Sequence, residues 1–89
     1  MKAVITIVGQ DQVGIVAMVS GVLAANGVNV LNINQNILDG FFNMLMISDI
    51  SQSKVSLKEL QQILNEKGQA IGLQIKVQHE DIFRIMHRI

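Results

Sequence analysis

The stretch that decides the fold is residues 2–30, KAVITIVGQDQVGIVAMVSGVLAANGVNV, because its hydrophobic periodicity changes twice. The run from Lys2 to Val8 is rich in β-branched residues and stops at Gly9, which is typical of a strand buried on both faces. From Gln12 to Asn26 the spacing of apolar residues becomes helical, and the predicted inner face carries Ile15, Val19, Val22 and Leu23.

Both ends of this first helix carry recognisable signals. Asp11 is a candidate N-cap, because its carboxylate can accept a hydrogen bond from an unpaired amide of the first turn. Gly27 is a candidate C′ residue, since glycine adopts the left-handed conformation without strain. The outer side of the helix carries small residues that would let another helix approach closely, namely Ala17, Ser20, Gly21 and Ala24.

Two more strands follow, joined by a tight turn. In Val28 to Ile37 apolar residues alternate with asparagines, so one face is apolar and the other is polar. Asp39-Gly40 fits the positive φ angles of a two-residue hairpin turn. Phe41 to Ile50 is apolar on both faces, as the first strand is.

The second helix has a clear start signal. Ser56 and Glu59 have the spacing of a capping box, and Val55 and Leu60 occupy the two positions of a hydrophobic staple. Gly68 is placed to end this helix. A last strand follows, in which apolar and polar residues alternate: Leu73, Ile75 and Val77 with Gln74, Lys76 and Gln78.

The resulting element order is β-α-β-β-α-β. The first and third strands are apolar on both sides and are predicted to be central, whereas the second and fourth are polar on one side and are predicted to be edges. This predicts an α+β, ferredoxin-like sandwich: a four-stranded antiparallel sheet of order 4-1-3-2 with both helices on one face.

The open face of that sheet would carry either Val4 and Val8 or the set Phe42, Met44 and Met46. Large apolar patches are rarely left to water. Asp81 to Ile89 has helical spacing of apolar residues and is predicted to form a short C-terminal helix that covers this face or a partner. We therefore expect a homodimer.

Composition limits the class of protein. The chain has 89 residues, 49 % of them hydrophobic, and fits a single domain over residues 1–89. Seven basic and seven acidic side chains give a formal net charge of +0, which disfavours nucleic acid and anionic membranes as partners. The absence of cysteine excludes disulfides, thiolate nucleophiles and cysteine-based metal sites. No segment has the pattern of a signal peptide or a membrane span, so a cytoplasmic location is expected.

The turn after the first strand is the first candidate binding site. Free N–H groups at a helix start can bind a carboxylate, and a glycine such as Gly14 lets a ligand come close to the backbone. The carboxylate of Asp11 would hold an ammonium group, so the turn suits an α-amino acid. The alternative is that Asp11 merely caps the helix and Gly14 merely avoids a clash. The candidate ligand residues of this turn are Gln10, Asp11, Gln12, Gly14 and Ile15.

Asn29 is the second candidate, at the point where the first helix leads into the second strand. Its amide offers two donors and an acceptor, and we expect it close to the first turn in a ferredoxin-like fold. The alternative is ordinary turn chemistry, because asparagine is common in turns after glycine.

These residues resemble the signature of ACT domains. The match consists of a strand, then G-x-D-x-x-G-I at Gly9, Asp11, Gly14 and Ile15, then Asn26-Gly27-Val28-Asn29-Val30 after the helix. The resemblance covers the whole chain and is strongest to stand-alone single-ACT proteins similar to the regulator of the glycine cleavage system.

The resemblance implies a regulatory module rather than an enzyme, with no catalytic residue, no metal and no cofactor. ACT domains typically bind amino acids or other small metabolites at the interface of two domains. Asp11 and Gly14 would then lie in the ligand loop of one chain, and Asn29 would be the polar contact from its neighbour. The output would pass through a partner protein. The alternative is a structural dimerisation or protein-interaction module without a small ligand.

Other functions of this topology are disfavoured. An acylphosphatase-like enzyme needs an arginine in the phosphate loop, but Arg84 and Arg88 lie at the far C-terminus. RNA-binding relatives stack bases on sheet aromatics, whereas this chain has no Tyr or Trp and three Phe. His79, Glu80 and Asp81, with His87, are metal-ligand types, but their spacing is typical of solvated surface.

Overall fold

The fold, seen in a computed structural model that describes residues 1–81 and residue 84, has the predicted element order. The elements are β1 (Lys2–Gln10), α1 (Ile15–Ala25), β2 (Asn29–Leu38), β3 (Phe41–Asp49), α2 (Leu57–Ala70) and β4 (Gln74–His79). The predicted C-terminal helix rests on Ile82, Ile85, Met86 and Ile89, which lie outside the described residues.

The four strands form one antiparallel sheet in the order β2-β3-β1-β4. This confirms the predicted order and the ferredoxin-like arrangement. The central strands β1 and β3 are paired from Lys2 opposite Asp49 to Gln10 opposite Phe41. Among the described residues the sheet therefore has two free edges, β2 on one side and β4 on the other.

The core lies between the inner face of the sheet and the helices. The four residues that define the inner face of α1 are buried as predicted. They meet Ala3, Ile5 and Ile7 of β1, Phe42, Met44 and Met46 of β3, and Leu60 and Leu64 of α2.

Of the two sets predicted for the open face, Phe42, Met44 and Met46 therefore lie on the helix side, and Val4 and Val8 lie on the open face. In the β1–β3 register Ile5 is opposite Met46, and residues directly opposite each other share a face of the sheet. A strand that is apolar on both sides does not show by its pattern which side faces the helices. Of the alternative pair, Val8 is 44 % exposed on the open face and Val4 is buried.

Among the described residues, β2 carries more exposed large apolar side chains than any other element. Ile33 is opposite Met46, so it points to the helix side of the sheet, yet it is 46 % exposed. Ile37 is opposite Phe42 and is 50 % exposed. Leu38 and Phe41, which flank the hairpin turn, are exposed too. The β2 edge thus carries apolar surface that α1 and α2 leave exposed.

Three of the turn and cap predictions are confirmed. Gly27 follows the C-cap of α1 with φ 73, and the hairpin residues Asp39 and Gly40 have φ 51 and 80. At the start of α2 the backbone N–H of Glu59 donates to Ser56 Oγ at 3.1 Å. These local signals were readable because each depends on neighbouring residues alone.

Two helix boundaries differ from the prediction. α1 begins at Ile15, three residues later than expected, and its N-cap is Gly14, so Asp11 is not the cap. α2 passes through Gly68 to Ala70, and the left-handed residue after it is Gly72, with φ 77. A Cβ on Gly68 would lie 2.9 Å from the Ile75 side chain, so this glycine serves the packing of β4 on α2.

Candidate functional site

The loop between β1 and α1 is held at both of its sides. The backbone N–H of Asp11 donates to Gly40 O at 2.8 Å, which extends the β1–β3 ladder up to the hairpin turn. Gln12 Nε2 donates to Ile71 O at 2.8 Å, which links the loop to the end of α2. The loop conformation is therefore fixed by partners from two different parts of the chain.

Close packing at Gly9 brings the end of β1 against the residues just before β4. A Cβ on Gly9 would lie 2.5 Å from Leu73 Cδ2 and 3.2 Å from Gly72 O. A side chain here would push residues 72 and 73, which lead into β4, away from β1. The motif glycine at this position is thus explained by the packing of the fold.

Gly14 has a different role. Its φ of 94 lies in the left-handed region that favours glycine, yet a Cβ there would meet nothing within 4 Å. The residue therefore sets the backbone direction and leaves open space in front of the helix start. Because Gly14 is the N-cap and has no side chain to accept a hydrogen bond, the first amides of α1 are left uncapped.

The other predicted residues of this loop divide into exposed and buried groups. Gln10 is the exposed last residue of β1, and the Asp11 carboxylate is exposed. Ile15 is 2 % exposed and its side chain belongs to the core. Only its backbone could therefore contact a ligand at the start of the helix. Val13, between them, projects fully into solvent.

Asn29 lies far from this loop within one chain. It is the exposed first residue of β2 and is opposite Asp49, which in turn is opposite Lys2. β1 and β2 run parallel, since each is antiparallel to β3. The end of β1 and the start of β2 are therefore at opposite ends of a sheet about 25 Å long. The expectation that Asn29 lies near the first turn of its own chain is wrong.

The corner around Asn29 contains charged groups that the sequence pattern did not reveal. The Asp49 carboxylate accepts a hydrogen bond from the Ser51 backbone N–H at 2.9 Å and lies 3.9 Å from the N-terminal ammonium. The bond from the Ser51 backbone and then that from its side chain lower the Asp49 pKa, and the N-terminal charge adds to the effect. Asp49 and Asn29 are 20 residues apart in sequence, and it is the pairing of β2 with β3 that brings them together.

Two observations bear on other classes of site. Within the described residues, no group of three histidine or acidic side chains is placed to hold a metal ion. Neither helix in the described part of the chain is long and apolar enough to cross a membrane.

The family model for the ACT domain matches residues 2–78. The chain belongs to the ACT domain family. ACT domains are regulatory modules that bind small molecules, so the resemblance seen in the motif is confirmed at the level of the family.

Curated relatives of this ACT domain match along its whole length. A UPF0237 protein of Clostridium perfringens is 54 % identical over 89 residues, which is 100 % of both chains. A UPF0237 protein of Methanocaldococcus jannaschii is 49 % identical over 99 % of this chain and 98 % of its own.

Solved structures agree with the fold. The ACT domain protein from Streptococcus pneumoniae has a TM-score of 0.80 and 36 % identity, covering 100 % of this chain and 97 % of that one. A protein described as a glycine cleavage system transcriptional repressor has a TM-score of 0.74 and 25 % identity. That match covers 89 % of this ACT domain and 47 % of the other chain.

Proposed function

We propose that this ACT domain is a homodimeric regulatory module that binds an amino acid between two chains and catalyses no reaction itself. The observation that carries the proposal is the separation of the two halves of the motif. In one chain, the loop 10–15 and Asn29 lie at opposite ends of the sheet. A second chain can bring them to the same end.

The β2 edge supports a particular way of pairing two chains. Residues 29–38 contain no charged side chain and no proline, which are the usual protections of an exposed edge strand. Their backbone groups on the outer side are available to another strand, and Ile33 and Ile37 add exposed apolar surface. Uncharged, apolar edges of this kind favour strand-to-strand association.

A two-fold axis across this edge would pair β2 with β2 of the second chain in antiparallel orientation. Asn29 of one chain would then lie at the same end as the partner's hairpin turn, the turn that Asp11 contacts through Gly40. The ligand loop of one chain and Asn29 of the other would form one site, repeated twice in the dimer.

The chemistry of the loop supports an amino acid as the ligand. The uncapped amides at the start of α1 and the open space before Gly14 suit a carboxylate. The exposed Asp11 carboxylate suits an ammonium group. One charge of each sign on the ligand matches a domain whose own formal charge is +0. A structural neighbour described as a glycine cleavage system transcriptional repressor belongs to amino-acid-related regulation.

The test is a thermal-shift screen with the twenty amino acids. A ligand at about 100 times its Kd adds roughly 2.7 kcal/mol to the unfolding free energy, which is easily resolved. We expect at least one amino acid to stabilise the protein, and Asn29→Ala to abolish that shift while light scattering still gives the mass of a dimer. Asn65→Ala, an exposed asparagine on α2, is the matched control and should keep the shift.

The competing function is a structural dimerisation module, favoured by the same β2 edge. A stable dimer that no amino acid stabilises would support this second function. A light-scattering mass of a single chain at micromolar concentration would contradict both.

A further inference from the structure

The second free edge of the sheet, β4, differs from β2 because lysines lie beside it, whereas β2 carries no charged side chain. The orientation of its backbone follows from two hydrogen bonds at the ends of the central ladder: Ile50 N to Met1 O at 3.0 Å, and Asp11 N to Gly40 O at 2.8 Å. Odd-numbered residues of β1 therefore point their backbone groups at β3, and even-numbered residues point theirs at β4.

The β4 partners of those even-numbered residues are Gln74, Lys76 and Gln78. Their backbone groups point inward, towards β1. Backbone groups of Ile75 and Val77 consequently point outward, away from the sheet. Two donors and two acceptors, spaced as a strand requires, thus form the outer rim of β4.

A groove of about 560 Å³ runs along this rim, between β4 and α2. Its helix side is formed by Lys58, Gln61, Gln62 and Asn65, and its strand side by Ile75, Lys76, Val77 and Gln78. None of the residues predicted to bind the amino acid lines it. The groove is therefore a separate surface from the site between chains.

One outward acceptor is already occupied by a side chain. Gln61 Nε2 donates to Val77 O at 2.6 Å, where the N–H of a neighbouring strand would otherwise donate. The side-chain amide takes the place of a backbone amide, and a change of rotamer is enough to release the carbonyl. Without a partner, Gln61 thus covers the Val77 carbonyl, and rotation of the Gln61 side chain would expose it to an incoming strand.

The charged side chains that line the groove are all positive. Its lining includes two cations, Lys58 and Lys76, and no carboxylate, in a chain whose formal net charge is +0. Among the described residues neither lysine forms a salt bridge. Lys58 is on the helix side of an incoming strand, whereas Lys76 is on the open face, because it is opposite Thr6. Successive residues of a strand point to opposite faces, so two adjacent acidic residues would meet both lysines.

A second copy of this chain fits the groove poorly. Pairing β4 with β4 of another copy about a two-fold axis would bring the lysines of both grooves together, and like charges across a strand pair are destabilising. Inorganic or nucleic-acid phosphate offers acceptors alone and leaves the outward carbonyl of Ile75 without a donor. A peptide strand offers both donors and acceptors.

We propose that the groove between α2 and β4 binds an extended acidic segment of a partner protein, which adds to β4 as a fifth strand. The segment carries two adjacent acidic residues, one for Lys58 and one for Lys76. This surface goes beyond the amino-acid site and gives the regulatory domain a place to contact the protein it regulates.

The experiment titrates the full chain with three fluorescent peptides: TVEEVTV, TVKKVTV and TVQQVTV. We expect the acidic peptide to bind more tightly than the other two, by up to about fivefold for each ion pair that is lost, since an exposed ion pair contributes up to about 1 kcal/mol. Binding of the acidic peptide should weaken when salt is raised from about 0.05 M to 0.5 M. Hydrogen exchange of the Ile75 and Val77 amides should slow on binding.

Charge reversal locates the contact. Lys58→Glu and Lys76→Glu should each weaken binding of the acidic peptide by about fivefold, because each replaces an attraction by a repulsion. Lys67→Glu is the matched control, because Lys67 is exposed on the same helix but lines a different groove, against α1. Gln61→Ala, which uncovers Val77 O, should tighten binding rather than weaken it.

Several results would overturn the proposal. The proposal would be overturned if the three peptides bound equally, or if Lys67→Glu weakened binding as much as Lys76→Glu does. It would also be overturned if inorganic tripolyphosphate competed as strongly as unlabelled peptide. Slow exchange of the Ile75 and Val77 amides in the free protein, at concentrations where it forms dimers, would show a second copy in the groove instead. The amino-acid shift is measured separately, so its presence or absence leaves this result unaffected.

Discussion

The two glycines inside the helices, Gly21 in α1 and Gly68 in α2, are predicted to respond in opposite directions to the same substitution. In a helix interior, alanine is favoured over glycine by up to about 1 kcal/mol because glycine loses more backbone entropy on folding. At Gly21 a Cβ would meet nothing within 4 Å. Gly21→Ala should therefore raise the unfolding free energy by about 0.5–1 kcal/mol.

At Gly68 the same methyl group would overlap its neighbours. The new Cβ would lie 2.9 Å from Cδ1 and Cγ1 of Ile75 and 3.1 Å from the Leu73 carbonyl oxygen. Favourable carbon–carbon contacts lie near 3.5–4.0 Å, and overpacking of this kind costs about 1–3 kcal/mol. After subtraction of the gain in helix propensity, Gly68→Ala should lower the unfolding free energy by about 1 kcal/mol.

The assay is urea unfolding followed by circular dichroism, with both variants and the wild type at one protein concentration. Equal concentrations matter because association makes apparent stability depend on concentration. The two variants should differ by about 2 kcal/mol, which in a domain of this size is roughly 8–16 °C in Tm. A Gly68→Ala variant more stable than the wild type would refute the packing of β4 on α2. A destabilised Gly21→Ala variant would refute the open outer face of α1.

Three further outcomes follow from single groups. Ser56→Ala should lower the unfolding free energy by about 1 kcal/mol, because it removes the acceptor for the Glu59 amide; an unchanged urea midpoint would contradict the cap. Gly14→Ala should destabilise by about 1–2 kcal/mol, since φ 94 strains an L side chain, and an equally stable variant would mean that the loop takes another conformation. The lowered Asp49 pKa stabilises the fold above its ordinary value of 3.8, and this contribution is lost as the pH falls through the lowered pKa. Asp49→Asn should remove that part of the acid dependence, measured as urea midpoints over a pH series; an identical pH profile in the variant would contradict it.

The sequence was sufficient for the fold because its informative signals are local or periodic. Alternation in β2 and β4, unbroken apolar runs in β1 and β3, and the Asp39-Gly40 turn together determine the strand order that the structure shows. The start of α2 at Ser56 was readable for the same reason, since cap and first turn are neighbours in the chain.

The errors arose where tertiary contacts override such signals. A glycine late in α2 looks like a helix end, but Gly68 is required by the Ile75 side chain, seven residues away in another element. Asp11 looks like a cap, but its amide continues the β1–β3 ladder and the helix begins after Gly14. A strand such as β3 that is apolar on both sides does not encode which side faces the helices.

The residues of the candidate site were proposed from the sequence, but their arrangement in the fold could not be. The motif residues Asp11, Gly14 and Asn29 were identified from spacing and resemblance, whereas the parallel course of β1 and β2 places them at opposite ends of the sheet. The bond from Gln12 to Ile71 and the position of Asp49 beside Asn29 depend on contacts between distant segments, for which no short sequence pattern exists.

The central claim, a ligand site shared between two chains, is tested most directly by mixing two inactive variants. Asp11→Ala removes the loop carboxylate and Asn29→Ala removes the amide at the far end of the sheet. Each variant alone is predicted to lose the stabilisation by the amino acid found in the screen. When the two are unfolded together and refolded, mixed dimers contain one intact site, and calorimetry should show that ligand binding returns. A mixture that binds no more ligand than either variant alone would contradict a site shared between chains.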